Sequence, residues 1–288
     1  MPPNKKQTRV DKIITYFTKD KPKVLLLKNL LSVKKRLDNS TLIEFGATSD
    51  EQRLGLCLTD IGSLLIAGDV DSGKTTFLKS IIGALARHNT SRQLKFFIAT
   101  SKPNDFRILS KSPYLEAPIL TTPIKLLNQI SILVQEMEAR YILLVKAGFY
   151  DTFWYNSDSK KPKINYIVFI IDNYSSLIES LPKTKRKYLE DNLISLVRMA
   201  RIAGIHIILS TQEAHARAIS GSLNVNFTNR LGFKTKTKKD SRDIHFESGC
   251  QNLLGKGDAI LSYYNDGGIM HRLQTPYISD AELKKLVK

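Results

Sequence analysis

An octapeptide constrains this chain more than any other feature. Gly68-Asp69-Val70-Asp71-Ser72-Gly73-Lys74-Thr75 has the spacing G-x-x-x-x-G-K-[ST]; the apolar run Leu64 to Ala67 precedes it and a run of helical spacing, Thr75 to Arg87, follows it. Two glycines let the backbone curl until several N–H groups converge, and the helix that follows adds its positive end. The pattern predicts a strand, a phosphate-cradling loop and a helix. Lys74 is expected to reach the β and γ phosphates of a nucleotide such as ATP, and Thr75 to hold Mg²⁺ through its hydroxyl. Gly68, Asp69, Val70, Asp71, Ser72, Gly73 and Thr76 complete the expected binding loop. Asp69 and Asp71 are unusual there, since two carboxylates close to a triphosphate repel it.

From Ile61 onward strands and helices alternate, the signature of an α/β fold with a mostly parallel central sheet covered on both faces. Lys95 to Thr100 reads as a strand, and Pro123 to Ala147 as a long helix with Ile124, Leu127, Ile130, Leu133, Val134 and Met137 on one side and Gly148 as its stop. The polar stretch Asp151 to Lys163 reads as a connection, with Trp154 as an apolar anchor in it. Asn165 to Asp172 is an unbroken apolar run ending in an acid, which suits a central strand buried on both faces. After a basic turn, Tyr188 to Ala203 reads as a helix closed by Gly204, and His206 to Thr211 as the next strand. Arg230 to Lys234, Asp258 to Tyr263 and Met270 to Gln274 read as shorter strands, antiparallel at a sheet edge. The first residues differ in character, with Pro2, Pro3, Pro22, a basic start and a helical stretch from Val24 to Leu37. A division follows, with a basic appendage over 1–58 and the main domain over 59–288.

Composition narrows the function. The 288 residues carry 44 Lys plus Arg against 27 Asp plus Glu, a formal net charge of +17, and the pI is near 9.7. An excess of that size favours a polyanionic partner, with nucleic acid the leading candidate. The cations cluster at Lys34, Lys35 and Arg36, at Lys183, Lys185, Arg186 and Lys187, and at Lys234, Lys236, Lys238 and Lys239. Cys57 and Cys250 alone build neither a disulfide framework nor a multi-cysteine zinc site, and a cytoplasmic setting is expected. The longest apolar runs, Ser63 to Ala67 and Tyr166 to Ile171, are strand-sized, so no direct membrane insertion is expected. His88, His206, His215, His245 and His271 show no metal-ligand spacing. Ser72 belongs to the loop rather than to a nucleophile motif, and G-x-S-x-G does not occur.

Asp172, at the end of the buried strand, stands where an ATPase needs an acid for the magnesium shell. Asn173 follows it, and a neutral amide can position a water without accepting its proton. Further motifs occur in order: Leu65-Ile66-Ala67-Gly68, Glu136 to Tyr141, Tyr166 to Asp172, Ala200 to His206, Ser210-Thr211-Gln212, Asp240-Ser241-Arg242 and Leu253 to Asp258. Over roughly residues 60 to 288 the chain resembles the FtsK/SpoIIIE DNA translocases, with 200–258 especially close. The resemblance implies a RecA-like P-loop NTPase that hydrolyses ATP as a homohexameric ring and moves double-stranded DNA through its channel. By position, Lys74, Thr75 and Asp172 match the family's phosphate lysine, hydroxyl and magnesium acid. Gln212 matches the polar sensor, and Arg201 the arginine finger that reaches a neighbour's γ-phosphate.

Departures from the family are as specific. Asn173 replaces the catalytic glutamate, Glu213-Ala214 replaces the Arg-Pro after the sensor, and the loop carries Asp69-Val70-Asp71 where small residues are usual. The family's N-terminal membrane segments and C-terminal winged helix are expected to be lacking. Such a shortened motor looks like those of plasmids and conjugative elements, with a membrane-anchored or relaxosome partner. Two alternatives stay open: a hydrolysis-impaired member that binds ATP and DNA, and a related secretion ATPase.

Overall fold

The computed structural model describes residues 24–31, 41–212 and 218–288. Its strands in chain order are β1 (Leu25–Leu26), β2 (Leu42–Ala47), β3 (Arg53–Cys57), β4 (Leu64–Ala67), β5 (Leu94–Thr100) and β6 (Tyr166–Asp172), then β7 (Ile205–Thr211), β8 (Arg230–Phe233), β9 (Asp258–Ser262), β10 (Met270–Gln274) and β11 (Pro276–Tyr277). Nine of them form one sheet in the order β3-β2-β10-β9-β8-β4-β7-β6-β5. The five from β8 to β5 are mutually parallel, and β9, β10, β2 and β3 extend the sheet with antiparallel pairings. β7 therefore lies between the phosphate-loop strand β4 and the acid-bearing strand β6.

The parallel strands β4, β6, β7 and β8 are buried throughout because both faces are covered. Their pleat sorts the side chains. Leu64, Ile66, Val168 and Ile170 pack on one face with Phe77, Leu78 and Ile81 of the helix Lys74–His88. Leu65, Ile167, Phe169 and Ile171 pack on the other with Leu126, Ile130 and Leu133 of the helix Pro123–Ala147 and Leu189, Leu193 and Leu196 of the helix Lys183–Met199. The long helix starts at an N-capping Thr122 and stops at Gly148, whose φ of +76° is open to glycine. Of its expected apolar face, Leu127 and Val134 are only partly buried and Ile124 is exposed.

Several expectations are corrected. The basic run 183–187 is not a turn: it forms the first turns of the helix Lys183–Met199, because Pro182 sets the boundary and Lys and Arg are good helix formers. None of the three later strands lies at the sheet edge: β8 is parallel to β4, and β9 and β10, antiparallel as expected, are interior because β2 and β3 pair beyond them. The connection after Asp151 contains a helix, Thr152–Ser157, capped by the Asp151 carboxylate. Its buried face is Thr152 and Tyr155, which leaves Trp154 57% exposed, edge-on to Phe153, and not an anchor.

Within the expected helical stretch 24–37, Leu27–Leu31 is helical, but Leu25–Leu26 is a strand that pairs with β11. Residues 32–37 lie outside the described residues. β2 and β3, placed by the sequence in the appendage, join the same sheet, and Phe45 of β2 packs 5.6 Å from Phe77 of the phosphate-loop helix. The basic residues of 1–23 and Lys34, Lys35 and Arg36 lie outside the described residues.

Candidate functional site

The phosphate loop leaves the C-terminal end of β4 between β7 and β8, at the point where neighbouring strands diverge to either side. Its two glycines are required by contact as well as by conformation. A Cβ on Gly68 would lie 2.7 Å from Cβ of Phe233, and one on Gly73 would lie 2.8 Å from the backbone nitrogen of Gly257, where φ is +117°. The loop is clasped on both sides: Asp69 N–H donates to the Lys234 carbonyl at 2.7 Å, and Gly257 N–H donates to the Ser72 carbonyl at 2.9 Å. The helix Lys74–His88 begins at Gly73 with no side-chain cap, so its first N–H groups are left for a ligand.

The two loop carboxylates are not equivalent. Asp69 accepts from the Val70 N–H at 2.9 Å and lies 3.5 Å from Nζ of Lys236, so its own loop and a basic neighbour engage it. Asp71, at φ +57°, is exposed and lines the cleft.

That cleft has a volume of about 640 Å³. It is lined by Val70, Asp71, Gly73, Lys74, Thr75, Thr76, Asp172, Asn173 and Gln212, while Gly68, Asp69 and Ser72 are not part of its lining. The Ser72 hydroxyl is buried without a hydrogen-bond partner among the described residues. Lys74 Nζ donates to the carbonyls of Gly68 at 2.9 Å and Asp69 at 2.7 Å. Burial lowers its pKa to about 8, against the opposing pull of Asp172 and Asp69. Asp172 is 3% exposed, and burial raises its pKa, with Ser210 and then Lys74 acting against the rise. Thr100 on β5 donates to it at 3.4 Å. A lysine pushed down and an aspartate pushed up thus share one cleft.

Asn173 stands at φ +54° and ψ +46°, a left-handed geometry that asparagine tolerates better than most residues. Its Nδ2 donates to Oγ of Ser101 at 2.7 Å, and its Oδ1 accepts from Nε2 of Gln212 at 3.1 Å. β6 and β7 thus bring together the two polar groups that the sequence separates by 39 positions. Glu213, Ala214 and His215 lie outside the described residues. Arg201 is elsewhere: it precedes the start of β7, whereas the cleft lies beyond the strands' C-terminal ends. It is exposed, packs its stem on Gly62 and donates to the Thr59 carbonyl at 3.0 Å.

Other cleft residues escaped sequence reasoning. Lys102 and Asp105 come from the turn after β5, and Lys256, Gly257, Gln274 and Thr275 from the ends of β9 and β10. The glycine pair flanking Lys256 was a usable signal for a backbone that approaches closely. Val24, Leu25, Pro276 and Tyr277 form an apolar side that exists only because β1 and β11 pair.

His88, His206 and His245 are buried. His206 is fully buried with Nδ1 3.1 Å from the Gly62 carbonyl, and burial pushes its pKa down to about 4. Burial pushes His245 down to about 3. Among the described residues no group of three His, Cys, Asp or Glu side chains could hold a metal ion, and no helix is long and apolar enough to cross a membrane.

The sequence profile of the FtsK/SpoIIIE family matches residues 48–216. Among curated proteins, the DNA translocase FtsK of Leptospira interrogans is 31% identical over 270 residues, 91% of this chain and 28% of its own length. That of Campylobacter jejuni is 33% identical over 233 residues, 80% of this chain and 24% of its own. The chain thus spans about a quarter of these relatives. Among solved structures, the pCW3 conjugation coupling protein TcpA with ATPγS superposes with a TM-score of 0.77 at 20% identity, covering 93% of this chain and 74% of that one. The cytoplasmic domain of the Thermomonospora curvata type VII secretion ATPase EccC gives 0.75 at 17%, covering 92% and 34%. These likenesses establish the P-loop ATPase fold.

Proposed function

From the premise that the chain belongs to the FtsK/SpoIIIE family, we propose that it is an ATPase that moves double-stranded DNA as a homohexameric ring. One observation carries the reading: the phosphate loop, Lys74, Thr75, Asp172, Asn173 and Gln212 face a single cleft. The backbone N–H groups of the loop and the uncapped helix start bind the phosphates, and Lys74 exchanges its two carbonyl partners for phosphate oxygens. A magnesium ion would fit the donor set, since Thr75 offers a hydroxyl and the buried Asp172 a carboxylate in the same cleft. It would supply charge neutralisation on the phosphates. Gln212 and Asn173 orient the attacking water. Arg201, exposed at the far end of the sheet, is available to a neighbouring subunit and not to its own cleft. The charge of +17 supports the polyanionic partner. A cytoplasmic site of action and a membrane-anchored or relaxosome partner belong to the same reading.

The test is steady-state ATP hydrolysis with and without linear double-stranded DNA, with Lys74→Ala as the blank. Stimulation that disappears in the blank is the expected result. A folded, nucleotide-binding protein that ignores DNA overturns the translocase reading, and stimulation by an acidic protein instead would point to secretion.

One observation favours a second reading, slow turnover. Both ends of the Asn173 amide are engaged, and an amide accepts no proton. The protein is then a nucleotide-gated DNA-binding ring that hydrolyses ATP sparingly.

A further inference from the structure

The phosphate and metal contacts proposed above use only one flank of the cleft. β6, which carries Asp172, lies to one side of β4, and β10, which leads into β11, lies to the other. On that second flank Leu25, Pro276 and Tyr277 form the apolar wall. Tyr277 is 44% exposed and Val24 74%, so an aromatic ring and an aliphatic side chain stand in solvent at the edge of a polar cleft. The helix Lys74–His88 holds the wall in place. Ser80 donates to the Pro276 carbonyl at 2.8 Å, and Lys79 Nζ lies 2.7 Å from Oδ1 of Asp280. A Cβ on Gly83 would lie 2.9 Å from Cδ1 of Ile278 and 3.2 Å from Cδ2 of Leu27, so the bare glycine lets the segments next to β1 and β11 close on the helix. One helix thus fixes the phosphate loop at its start and the wall at Ser80, about 9 Å further along its axis at 1.5 Å per residue.

Polar side chains beside the wall have donors engaged elsewhere. Gln274 Nε2 donates to the Lys256 carbonyl at 3.0 Å, the Thr275 hydroxyl donates to the Gly257 carbonyl at 2.9 Å, and Lys79 is paired with Asp280. Lys256 itself belongs to the turn that clasps the phosphate loop. The wall therefore offers apolar contact and a ring face rather than side-chain donors. A flat heterocycle suits such a surface, because every base has a π-face to stack. Strong discrimination between bases needs polar groups placed against their edges, whereas an apolar surface separates related ligands weakly.

We propose that this wall is a nucleobase subsite, in which Tyr277 and Leu25 pack on the base of a nucleoside triphosphate held by the phosphate loop, and that it accepts purine bases with little discrimination. The inference rests on the proposed ATPase reading and names the substrate class of the same cleft, purine nucleoside triphosphates rather than ATP alone. It also makes the segment beginning at Val24 part of the nucleotide site, since Leu25 is set there by pairing with Pro276.

The experiment is calorimetric titration of the whole chain, with magnesium present, against ATPγS, GTPγS and inorganic tripolyphosphate, with oligomeric state and melting temperature recorded alongside. The proteins are the wild type, Tyr277→Ala and Tyr277→Phe. Wild-type affinities for ATPγS and GTPγS are expected to agree within about tenfold. Tyr277→Ala is expected to weaken both by about tenfold, the loss that removing one aromatic–base stack brings, and to leave tripolyphosphate within about twofold. Tyr277→Phe keeps the ring and is expected to bind as the wild type does. A larger preference for either nucleotide overturns the proposal, as does a Tyr277→Ala protein that binds both undiminished. Equal loss of tripolyphosphate indicates general damage to the cleft and overturns it too. A Tyr277→Ala protein with a lower oligomeric state and intact nucleotide affinity overturns it in favour of an interface between copies. If Tyr277→Ala does not fold, Tyr277→Leu, which keeps apolar bulk and loses the ring, takes its place. A wild type that binds none of the three ligands defeats the ATPase reading and this inference with it, whereas nucleotide binding that ignores Tyr277 defeats this inference only.

Discussion

In the proposed mechanism turnover depends on Asn173, and its chemistry and its conformation pull in the same direction. Its left-handed backbone disfavours a glutamate by roughly 1 kcal/mol, whereas Asn and Asp hydrogen-bond locally and occupy that region readily. Aspartate is the cleaner way to install a carboxylate here. In Asn173→Asp the Gln212 amide still donates to the retained oxygen, and Ser101 can reverse its hydroxyl to donate as well. Steady-state assays of this variant are expected to give kcat higher by about tenfold or more, since a positioned base contributes at least that much. A lower kcat would mean that the amide already places the water and that a carboxylate beside Asp172 disrupts it. The neutral amide was legible in the sequence. Its left-handed geometry and its pairing with Gln212 were not, because both depend on β6 and β7 being neighbours.

At the scale of elements, the phosphate loop is held by segments far from it in sequence. The chain after β8 accepts from Asp69, and the turn before β9 donates to Ser72. The turn is itself fixed by Asp258, which takes a bidentate pair from Arg272, with Oδ2 2.6 Å from Nη2, and accepts from Leu254 N–H at 2.8 Å. Gly257 is the tightest point of this clasp. A Cβ there would lie 2.5 Å from Nε2 of Gln274 and 2.9 Å from Oγ1 of Thr275, at φ +96°. Overpacking of that kind costs about 1–3 kcal/mol. Gly257→Ala is expected to weaken nucleotide binding by about tenfold or more in a fluorescence titration, although residue 257 lies outside the phosphate-loop motif. Unchanged affinity would show the clasp to be dispensable. Strands β4, β6 and β7 were legible because a run buried on both faces leaves an unbroken apolar signature. The interior place of β8 was not, since four residues carry no mark of which neighbour they join. The basic turn was misread because positive charge suggests a solvated loop, while Lys and Arg favour helix as readily.

For the whole molecule, the charge of +17 is the strongest statement about partners. Its exposed lysines include Lys183, Lys185 and Lys187 on one helix start and Lys234 and Lys236 near the phosphate loop. Binding to duplex DNA is expected to be insensitive to sequence and to weaken by about 100-fold or more between about 50 and 200 mM salt, as for a surface neutralising about four phosphates. Anisotropy titrations on two unrelated duplexes check both statements. A flat salt response would remove the electrostatic basis of the reading. Arg201 adds a constraint of the same scale: at the opposite end of the sheet from its own cleft, it can act on a nucleotide only across an interface between copies.

The sequence by itself determined the phosphate loop, the acid strand, the α/β alternation and the family, because each is written in local spacing or in an ordered series of motifs. Tertiary structure alone decided that β2 and β3 extend the same sheet, that β1 and β11 wall the cleft, that Lys236 meets Asp69 and that Gln212 meets Asn173. Those outcomes depend on which distant strands pair. Backbone hydrogen bonding between strands is nearly blind to residue type, so pairing is settled only when the whole apolar surface is buried at once.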